Sequence, residues 1–313
     1  GDVYKRQVIK YGLFMNLENI NWLQQIANAV WLGGVYSLFA LGYSLVFSVL
    51  GVLNLAHSAL FMWGAMIGLW FVLQSGLSVW LSIPLAMVGS AILSVALERI
   101  AFAPLRKRNA PRISQLISSI GASIFLVSVA QLVFGTQPQR FPMGSIPTDM
   151  IAGLPFRITP IQVIILVVAL ALVAALNLMI TRTKTGQAMR VVAFNEKTAS
   201  LLGINVGRVF LITFALAGAL AGAAGVLYGL AYNSMTPFIG EQVALKGLTV
   251  IVLGGMGSIQ GAVVGGFAVA ALEVFSITLG GSTYRDAIVF ALLFVVLLVR
   301  PQGLVGQKSV TRA

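Results

Sequence analysis

The chain alternates between long apolar runs and short breaks that hold most of its positive charge. A helix that crosses a bilayer needs about 20 predominantly apolar residues, and this sequence supplies that length several times. Only 9% of the residues are charged and 58% are hydrophobic, whereas soluble domains carry roughly 25% charged residues. The runs are continuously apolar, unlike the alternating strands of a membrane barrel. The sequence therefore predicts an all-α fold, a polytopic transmembrane helix bundle.

The net charge of +12 is concentrated in two loops and in the C-terminal tail. The cations are Arg99, Arg106, Lys107, Arg108 and Arg112 in the first loop, Arg182, Lys184, Arg190, Lys197 and Arg208 in the second, and Lys308 and Arg312 in the tail. Cytoplasmic loops of membrane proteins carry an excess of Lys and Arg. We therefore expect both loops and the C-terminus to be cytoplasmic, and this placement argues against a nucleic-acid partner.

About eight transmembrane segments are predicted, including one Gly-rich hairpin. They are Ile26–Leu50, Ser58–Leu73, Val79–Leu97, Ile113–Phe134, Ile161–Ile180, Val209–Leu230, the hairpin of Val243–Leu253 and Gly261–Leu279, and Ala287–Val299. The proline-rich stretch Gly135–Pro160 is expected to be an irregular extracytoplasmic loop. These segments form a single transmembrane domain over residues 22–306, between an N-terminal segment, 1–21, and a basic cytoplasmic tail, 307–313.

The hairpin follows from topology. Residues 231 and 284 must both lie outside if the chain is to end inside, so the stretch between them enters the membrane and returns. Val243–Leu253 is too short to span the membrane at full length, and Gly254-Gly255-Met256-Gly257-Ser258 breaks it. We therefore interpret it as a short or re-entrant segment. Non-helical backbone at membrane depth is tolerated only when it is buried in protein or lines a wet cavity. Gly254, Gly255 and Gly257 are therefore predicted pathway or gating residues.

Two charged residues of the hairpin lie within apolar surroundings. Intramembrane ionisable side chains are rare and tend to pair or to face the bundle interior. If the hairpin turns near residue 257, Lys246 and Glu273 fall at similar depth. We predict that they form a buried ion pair that braces the hairpin. The alternative is that Glu273 binds solute directly.

A second polar interruption separates the first two spans. Asn54 and His57 are three residues apart, so they would share one face of a helix. One interpretation is a structural hydrogen bond between helices. The other is a direct role in a solute pathway, and we keep both residues as pathway or gating candidates.

The second basic loop carries signals for a short helix. Asn195 is a favourable N-cap, Glu196 lies in the first turn where the helix dipole favours an anion, and Gly203 is a favourable terminator. The apolar positions Ala199 and Leu202 are expected to face either the bilayer surface or a partner. The helix is thus either an interfacial connector or a docking element for a cytoplasmic protein.

Several kinds of chemistry are excluded by the residues that are missing. The chain has no Cys and a single His, so we expect no metal site. It has no phosphate-binding G-x-x-x-x-G-K-[ST] loop and no arrangement of residues that suits a hydrolase. We expect a chain that is not an enzyme and that draws any energy for uphill transport from another subunit.

Four blocks of sequence together resemble the LIV-type permeases of bacterial ABC importers, more closely the H-type. They are Gly33–Ala65, Thr185–Val209, Leu245–Glu273 and Leu292–Gly306, and they occur in the order found in that family. The resemblance departs at Ser58 and Ala59, where the family usually has Gly followed by an acidic residue. A role that depends on that acid is not carried over.

The resemblance implies a multi-pass permease of the bacterial inner membrane, surrounded by lipid, that works by alternating access. The implied partners are a second homologous permease, two cytoplasmic ATPase subunits that bind ATP and Mg, and a periplasmic or lipid-anchored solute-binding protein, so no cofactor is expected in this chain. The ATPase-coupling segment maps onto Asn195, Glu196, Ala199 and Gly203. The implied solutes are branched-chain or related amino acids, with urea or short amides as the alternative. From the residues alone, a secondary carrier or a passive channel for a small polar solute also stays open.

Overall fold

A computed structural model describes residues 21–142, 157–279, 282–300 and 302–305. The predicted N-terminal segment up to residue 20, the tail from residue 307 and most of the proline-rich loop lie outside these residues. Where the chain is described, the secondary structure is helical, apart from one isolated antiparallel bridge between Gln139 and Met235. The predicted all-α helix bundle is confirmed.

The helices are numbered in chain order. They are α1 (Trp22–Leu50), α2 (His57–Ser75), α3 (Val79–Leu97), α4 (Ala103–Lys107), α5 (Arg112–Phe134), α6 (Pro160–Arg182), α7 (Lys184–Phe194), α8 (Glu196–Leu201), α9 (Val206–Tyr232), α10 (Ile239–Gly254), α11 (Ile259–Thr278) and α12 (Arg285–Val299). A π-helical turn, Glu98–Phe102, joins α3 to α4, and a 3-10 turn, Ser282–Tyr284, precedes α12. Among the described residues, seven helices are long and apolar enough to cross a membrane.

Helix α1 forms the centre of the bundle. Its N-cap Asn21 accepts a hydrogen bond from the N–H of Gln24, and it ends at Gly51, whose φ of 68° is left-handed. Nearly the whole second half of α1 is buried, because α6, α9, α10 and α11 all pack against it. A helix that is apolar on every side and surrounded by others is typical of the interior of a membrane bundle.

Small residues allow the inner helices to approach closely. Gly64 of α2 lies directly against Gly222 of α9, and Gly222 also contacts the backbone of α3 at Ala86. In lipid, such close packing replaces the hydrophobic effect as the main force between helices. Two serines of α3 add hydrogen bonds at these contacts: Ser90 donates to the carbonyl of Leu60 at 2.9 Å and Ser94 donates to the carbonyl of Phe214 at 2.6 Å.

The outer helices expose apolar side chains. Leu132 of α5 is 87% exposed, Leu178 of α6 is 57% exposed and Val299 of α12 is 75% exposed. An apolar exterior of this extent is suited to lipid or to another membrane subunit. The predicted spans agree with the helices to within a few residues.

One boundary prediction is wrong. The first basic loop was expected to begin at residue 99, but the helix continues without a break from α3 through the π-helical turn into α4. The reason is a local ion pair: Arg106 lies 2.6 Å from the buried carboxylate of Glu98, and its guanidinium stacks 3.9 Å above the ring of Phe210. A cation that is paired in this way is accommodated against the bundle, so its charge does not mark a loop.

Candidate functional site

The predicted hairpin is present, and its glycines form the turn. Helix α10 ends at Gly254, and Gly255 and Gly257 adopt φ values of 107° and 83°. The side chain of Ser258 then caps α11 by accepting a hydrogen bond from the N–H of Gly261 at 3.0 Å. Positive φ is accessible to glycine at little cost, which explains the residue type. A gating role for these glycines is still a prediction.

The segment after α12 closes this turn. The N–H of Leu304 donates to the carbonyl of Leu253 at 2.7 Å, and the N–H of Val305 donates to that of Gly254 at 3.1 Å. These bonds satisfy carbonyls at the end of α10 that lack partners within the helix. The turn also lies beside Ser48 of α1. The ends of α1, α10 and α12 therefore meet at one end of the bundle, where Arg112 approaches Gly51; we call this the basic end.

A buried charge network, formed by Tyr36, Lys246, Glu273, Arg285 and Asp286, links four helices. Lys246 Nζ lies 2.5 Å from Glu273 Oε1, and the Tyr36 hydroxyl donates to Glu273 Oε2 at 2.7 Å. Lys246 also donates to the Tyr36 oxygen at 3.2 Å. The structure thus brings Lys246 and Glu273, the pair singled out in the sequence, into direct contact.

Exposure within the buried charge network increases towards α12. The side chain of Glu273 is 2% exposed and that of Lys246 is 11% exposed, whereas Arg285 is 44% and Asp286 54% exposed. Arg285 lies 3.6 Å from Glu273, and Asp286 lies 3.7 Å from Lys246. Two cations face two anions, so the network is neutral overall. Pairing of this kind is what allows charges to persist in an apolar bundle.

The break between α1 and α2 lies inside the bundle. His57, the first residue of α2, contacts Gly42 of α1, and Gly42 precedes the end of α1 by about two helical turns, or roughly 12 Å. The carbonyl of Asn54 accepts from the N–H of His57 at 3.0 Å, and its Oδ1 accepts from the N–H of Ala56 at 3.2 Å. Helix α2 therefore starts within the protein, well away from the basic end.

An inner polar cluster, formed by the side chains of Tyr43, Asn54 and His57, occupies this break. His57 Nε2 lies 3.1 Å from the carbonyl oxygen of Phe39, and the His57 ring packs 4.9 Å from that of Tyr43. The other polar atoms of the cluster, namely Tyr43 OH, Asn54 Nδ2 and His57 Nδ1, are buried and have no hydrogen-bond partner in the described part of the chain. The pathway role of Asn54 and His57 is still a prediction.

Aromatic side chains lie along α1 between the two polar regions. Tyr36, Phe39 and Tyr43 lie at spacings of three and four residues, so they occupy one face of α1. Phe39 is fully buried between the buried charge network and the inner polar cluster, and its ring lies 5.1 Å from that of Phe61. Phe61 in turn lies 5.6 Å from Tyr228. These ring contacts extend from the inner polar cluster to α9.

The coupling segment, residues 195–203, folds as its sequence signals require. Asn195 Oδ1 accepts from the N–H of Thr198 at 3.0 Å, Glu196 lies in the first turn of α8, and Gly203 follows the helix with a φ of 80°. A further helix, α7, precedes it and was not predicted. The coupling role of Asn195, Glu196, Ala199 and Gly203 is still a prediction.

The expected orientation of Ala199 is wrong. Ala199 is fully buried against its own chain and does not face outwards. The exposed apolar side chains of this region are Phe194 of α7, Leu201 of α8 and Leu202 immediately after α8, at 78%, 88% and 69%. The error arose because a helix of only six residues turns its small Ala onto the bundle and leaves the larger residues outside.

Some residues of these sites were missed from the sequence. Tyr36 and Tyr43 were hidden within an apolar run, although their spacing of seven residues placed them on one helix face. Arg285 and Asp286 were passed over because they stand at the start of a span. Among the described residues, no group of three or more His, Cys, Asp or Glu side chains is placed to hold a metal ion.

Comparison with known proteins gives a match along nearly the whole chain. Residues 25–297 match the family described as "Branched-chain amino acid transport system / permease component". The chain is 36% identical over 309 residues to the high-affinity branched-chain amino acid transport system permease protein LivH of Salmonella typhimurium, covering 95% of this chain and 100% of the relative. It is 35% identical over 310 residues to the corresponding protein BraD of Pseudomonas aeruginosa, covering 94% and 99%.

A more distant relative has a similar name. The chain is 27% identical over 286 residues to a probable branched-chain amino acid transport permease protein, LivH, of Methanocaldococcus jannaschii, covering 86% of this chain and 88% of the relative. The family match over residues 25–297 includes both polar regions of the bundle and the coupling segment.

Proposed function

This chain belongs to the family of permease components of branched-chain amino acid transport systems, and from that premise we propose that it is the transmembrane permease subunit of an ATP-driven importer for branched-chain or related amino acids. The observation that carries the proposal is the match to LivH along 95% of the chain at 36% identity. The fold supports it, because a bundle with buried polar groups beside its central helix is suited to pass a polar solute.

The proposed mechanism is alternating access. ATP is hydrolysed on partner subunits, and the movement reaches this chain through the coupling segment. Helix α9 follows α8 directly and packs against α1, α2 and α3, so displacement of α8 would tilt the helices that surround the inner polar cluster. At Gly64 and Gly222 the backbones of α2 and α9 meet with no side chain between them, which favours small sliding movements.

The proposed partners follow from the surfaces that the chain exposes. The apolar outer faces of α5, α6 and α12 are suited to lipid and to a second homologous permease. The exposed apolar residues of α7 and α8, together with Lys184 and Lys197, are suited to a cytoplasmic ATPase. A periplasmic or lipid-anchored binding protein would deliver solute at the opposite end. The protein would then lie in the bacterial inner membrane with its C-terminus in the cytoplasm.

The test is reconstitution of the complete importer in proteoliposomes with ATP inside or outside. We expect ATP-dependent accumulation of labelled leucine that requires the ATPases and the binding protein. Accumulation without the ATPases, abolished by an uncoupler, would indicate a secondary carrier, and equilibration without accumulation would indicate a channel. Uptake of urea or acetamide in place of leucine would indicate an importer of urea or short amides.

A further inference from the structure

The first turn of α2 concentrates unsatisfied polar groups within the bundle. Helix α2 has no side-chain cap, and the backbone N–H groups of Ser58 and Ala59 form no hydrogen bond to the described residues. Both residues are buried, at 5% and 1% exposure. The inner polar cluster lies at the same place, with Asn54 and His57 immediately before these N–H groups. Helix starts normally satisfy such donors through a cap or through water.

The unsatisfied groups are of two kinds. The N–H groups of Ser58 and Ala59 and the amide Nδ2 of Asn54 are hydrogen-bond donors. His57 supplies an acceptor, because its Nε2 faces the carbonyl oxygen of Phe39 at 3.1 Å. A carbonyl only accepts, so Nε2 carries the hydrogen of the neutral ring and Nδ1 is left with a lone pair.

This combination matches the two charged groups of an α-amino acid. The N-terminus of a helix carries a partial positive charge and binds carboxylates through its free N–H groups. An ammonium group requires acceptors, and His57 Nδ1 and the Tyr43 oxygen are both free to accept. An unpaired buried polar group is unfavourable in an apolar medium, so a polar ligand that enters the site would gain these hydrogen bonds.

We propose that the first turn of α2 and the inner polar cluster form a solute-binding site midway through the membrane. The N–H groups of Ser58 and Ala59 and the Asn54 amide hold the α-carboxylate, and His57 and Tyr43 hold the α-ammonium group. The inference rests on the proposed import of amino acids. In this structure the site is closed, because Phe39 is fully buried against it and packs on Gly247 of the hairpin.

Asn54→Asp tests the site with little change in shape. The substitution keeps Oδ1, which caps the N–H of Ala56, and replaces only the unpaired amide by a carboxylate oxygen. The same substitution at Asn205, an exposed cap that accepts from the N–H of Arg208 at 3.0 Å, is the matched control. Tyr43→Phe removes one unpaired hydroxyl and is compared with Tyr284→Phe, where the ring is 69% exposed.

The measurement is equilibrium binding to the membrane complex of permeases and ATPases in nanodiscs, without nucleotide and without the binding protein. The probes are labelled L-leucine and two competitors: L-leucinamide, which lacks the carboxylate, and 4-methylpentanoate, which lacks the ammonium group. The wild-type importer is expected to bind leucine better than either. Asn54→Asp should weaken leucine binding at least tenfold while leucinamide changes less than threefold, and Tyr43→Phe should weaken leucine about tenfold. The two control variants should match the wild type.

The outcomes separate this inference from the proposed function. If the wild-type importer accumulates leucine but the ratio of leucine to leucinamide binding is unchanged in Asn54→Asp, the site is refuted and the importer stands. Leucine accumulation with no detectable binding to the wild-type importer would also refute the site. It would indicate that water forms the hydrogen bonds of its polar groups. If the wild-type importer transports none of the solutes, the proposed function itself fails.

Discussion

Removing one member of the Lys246–Glu273 pair should destabilise the bundle more than removing both. At 2.5 Å and an effective dielectric constant of about 20, the attraction between the two charges is roughly 6–7 kcal/mol, much of which offsets their desolvation. Lys246→Met leaves Glu273 charged and 2% exposed, and we expect a loss of about 3 kcal/mol in the free energy of unfolding. The loss is moderated because Arg285 lies 3.6 Å from Glu273.

Glu273→Gln should cost less, about 2 kcal/mol, because Lys246 keeps the Tyr36 hydroxyl at 3.2 Å and Asp286 at 3.7 Å. The double variant removes both charges and should lose only about 1 kcal/mol, which gives a coupling energy of about 4 kcal/mol. Equilibrium unfolding of the purified chain in mixed micelles measures all three values. Lys197→Met, at an exposed position, is the control and should stay within about 0.5 kcal/mol of the wild type. Additive losses in the double variant would show that the pair is screened by solvent and would refute the reasoning.

Three further predictions concern packing, ion pairing and coupling. Gly222→Leu should prevent the close approach of α2, α3 and α9 and lower the free energy of unfolding by about 3 kcal/mol or more, the upper end of the usual cost of overpacking. Wild-type yield and a monodisperse elution profile would contradict this prediction. Arg106→Met should cost about 3 kcal/mol by leaving Glu98 unpaired, while exposed Arg108→Met should be neutral in the same unfolding assay. Leu201→Asp should abolish ATP-dependent leucine uptake without changing unfolding, since Leu201 is 88% exposed; undiminished uptake would remove α8 from the coupling role.

If solute passes through this chain as proposed, the two polar regions would be successive positions along its route. The buried charge network opens towards the start of α12, where Arg285 and Asp286 are exposed, and the inner polar cluster lies deeper, on the same face of α1. Phe39 separates them. A solute that passes from one to the other must displace this ring, and Gly247, which it contacts, lies on the hairpin next to Lys246.

Hydropathy and charge placement determined the class of the protein, the approximate spans and the hairpin, because apolar length and the distribution of cations act locally along the chain. The capping signals of Asn195, Glu196 and Gly203 were also local, and α8 begins and ends where they predict. The pairing of Lys246 with Glu273 could also be predicted from the sequence, because the position of the turn in a hairpin determines which residues lie at the same depth.

Only the tertiary structure decided which polar groups are paired. Tyr36 bonds to Glu273, Arg106 pairs with Glu98 across a π-helical turn, and Ala199 faces inwards. These outcomes depend on which residues the packing of the helices brings close to each side chain. The same holds for the start of α2. The sequence showed Asn54 and His57 as polar residues in a break, but their burial beside Tyr43, with donors and an acceptor unsatisfied, depends on how α1 and α2 pack.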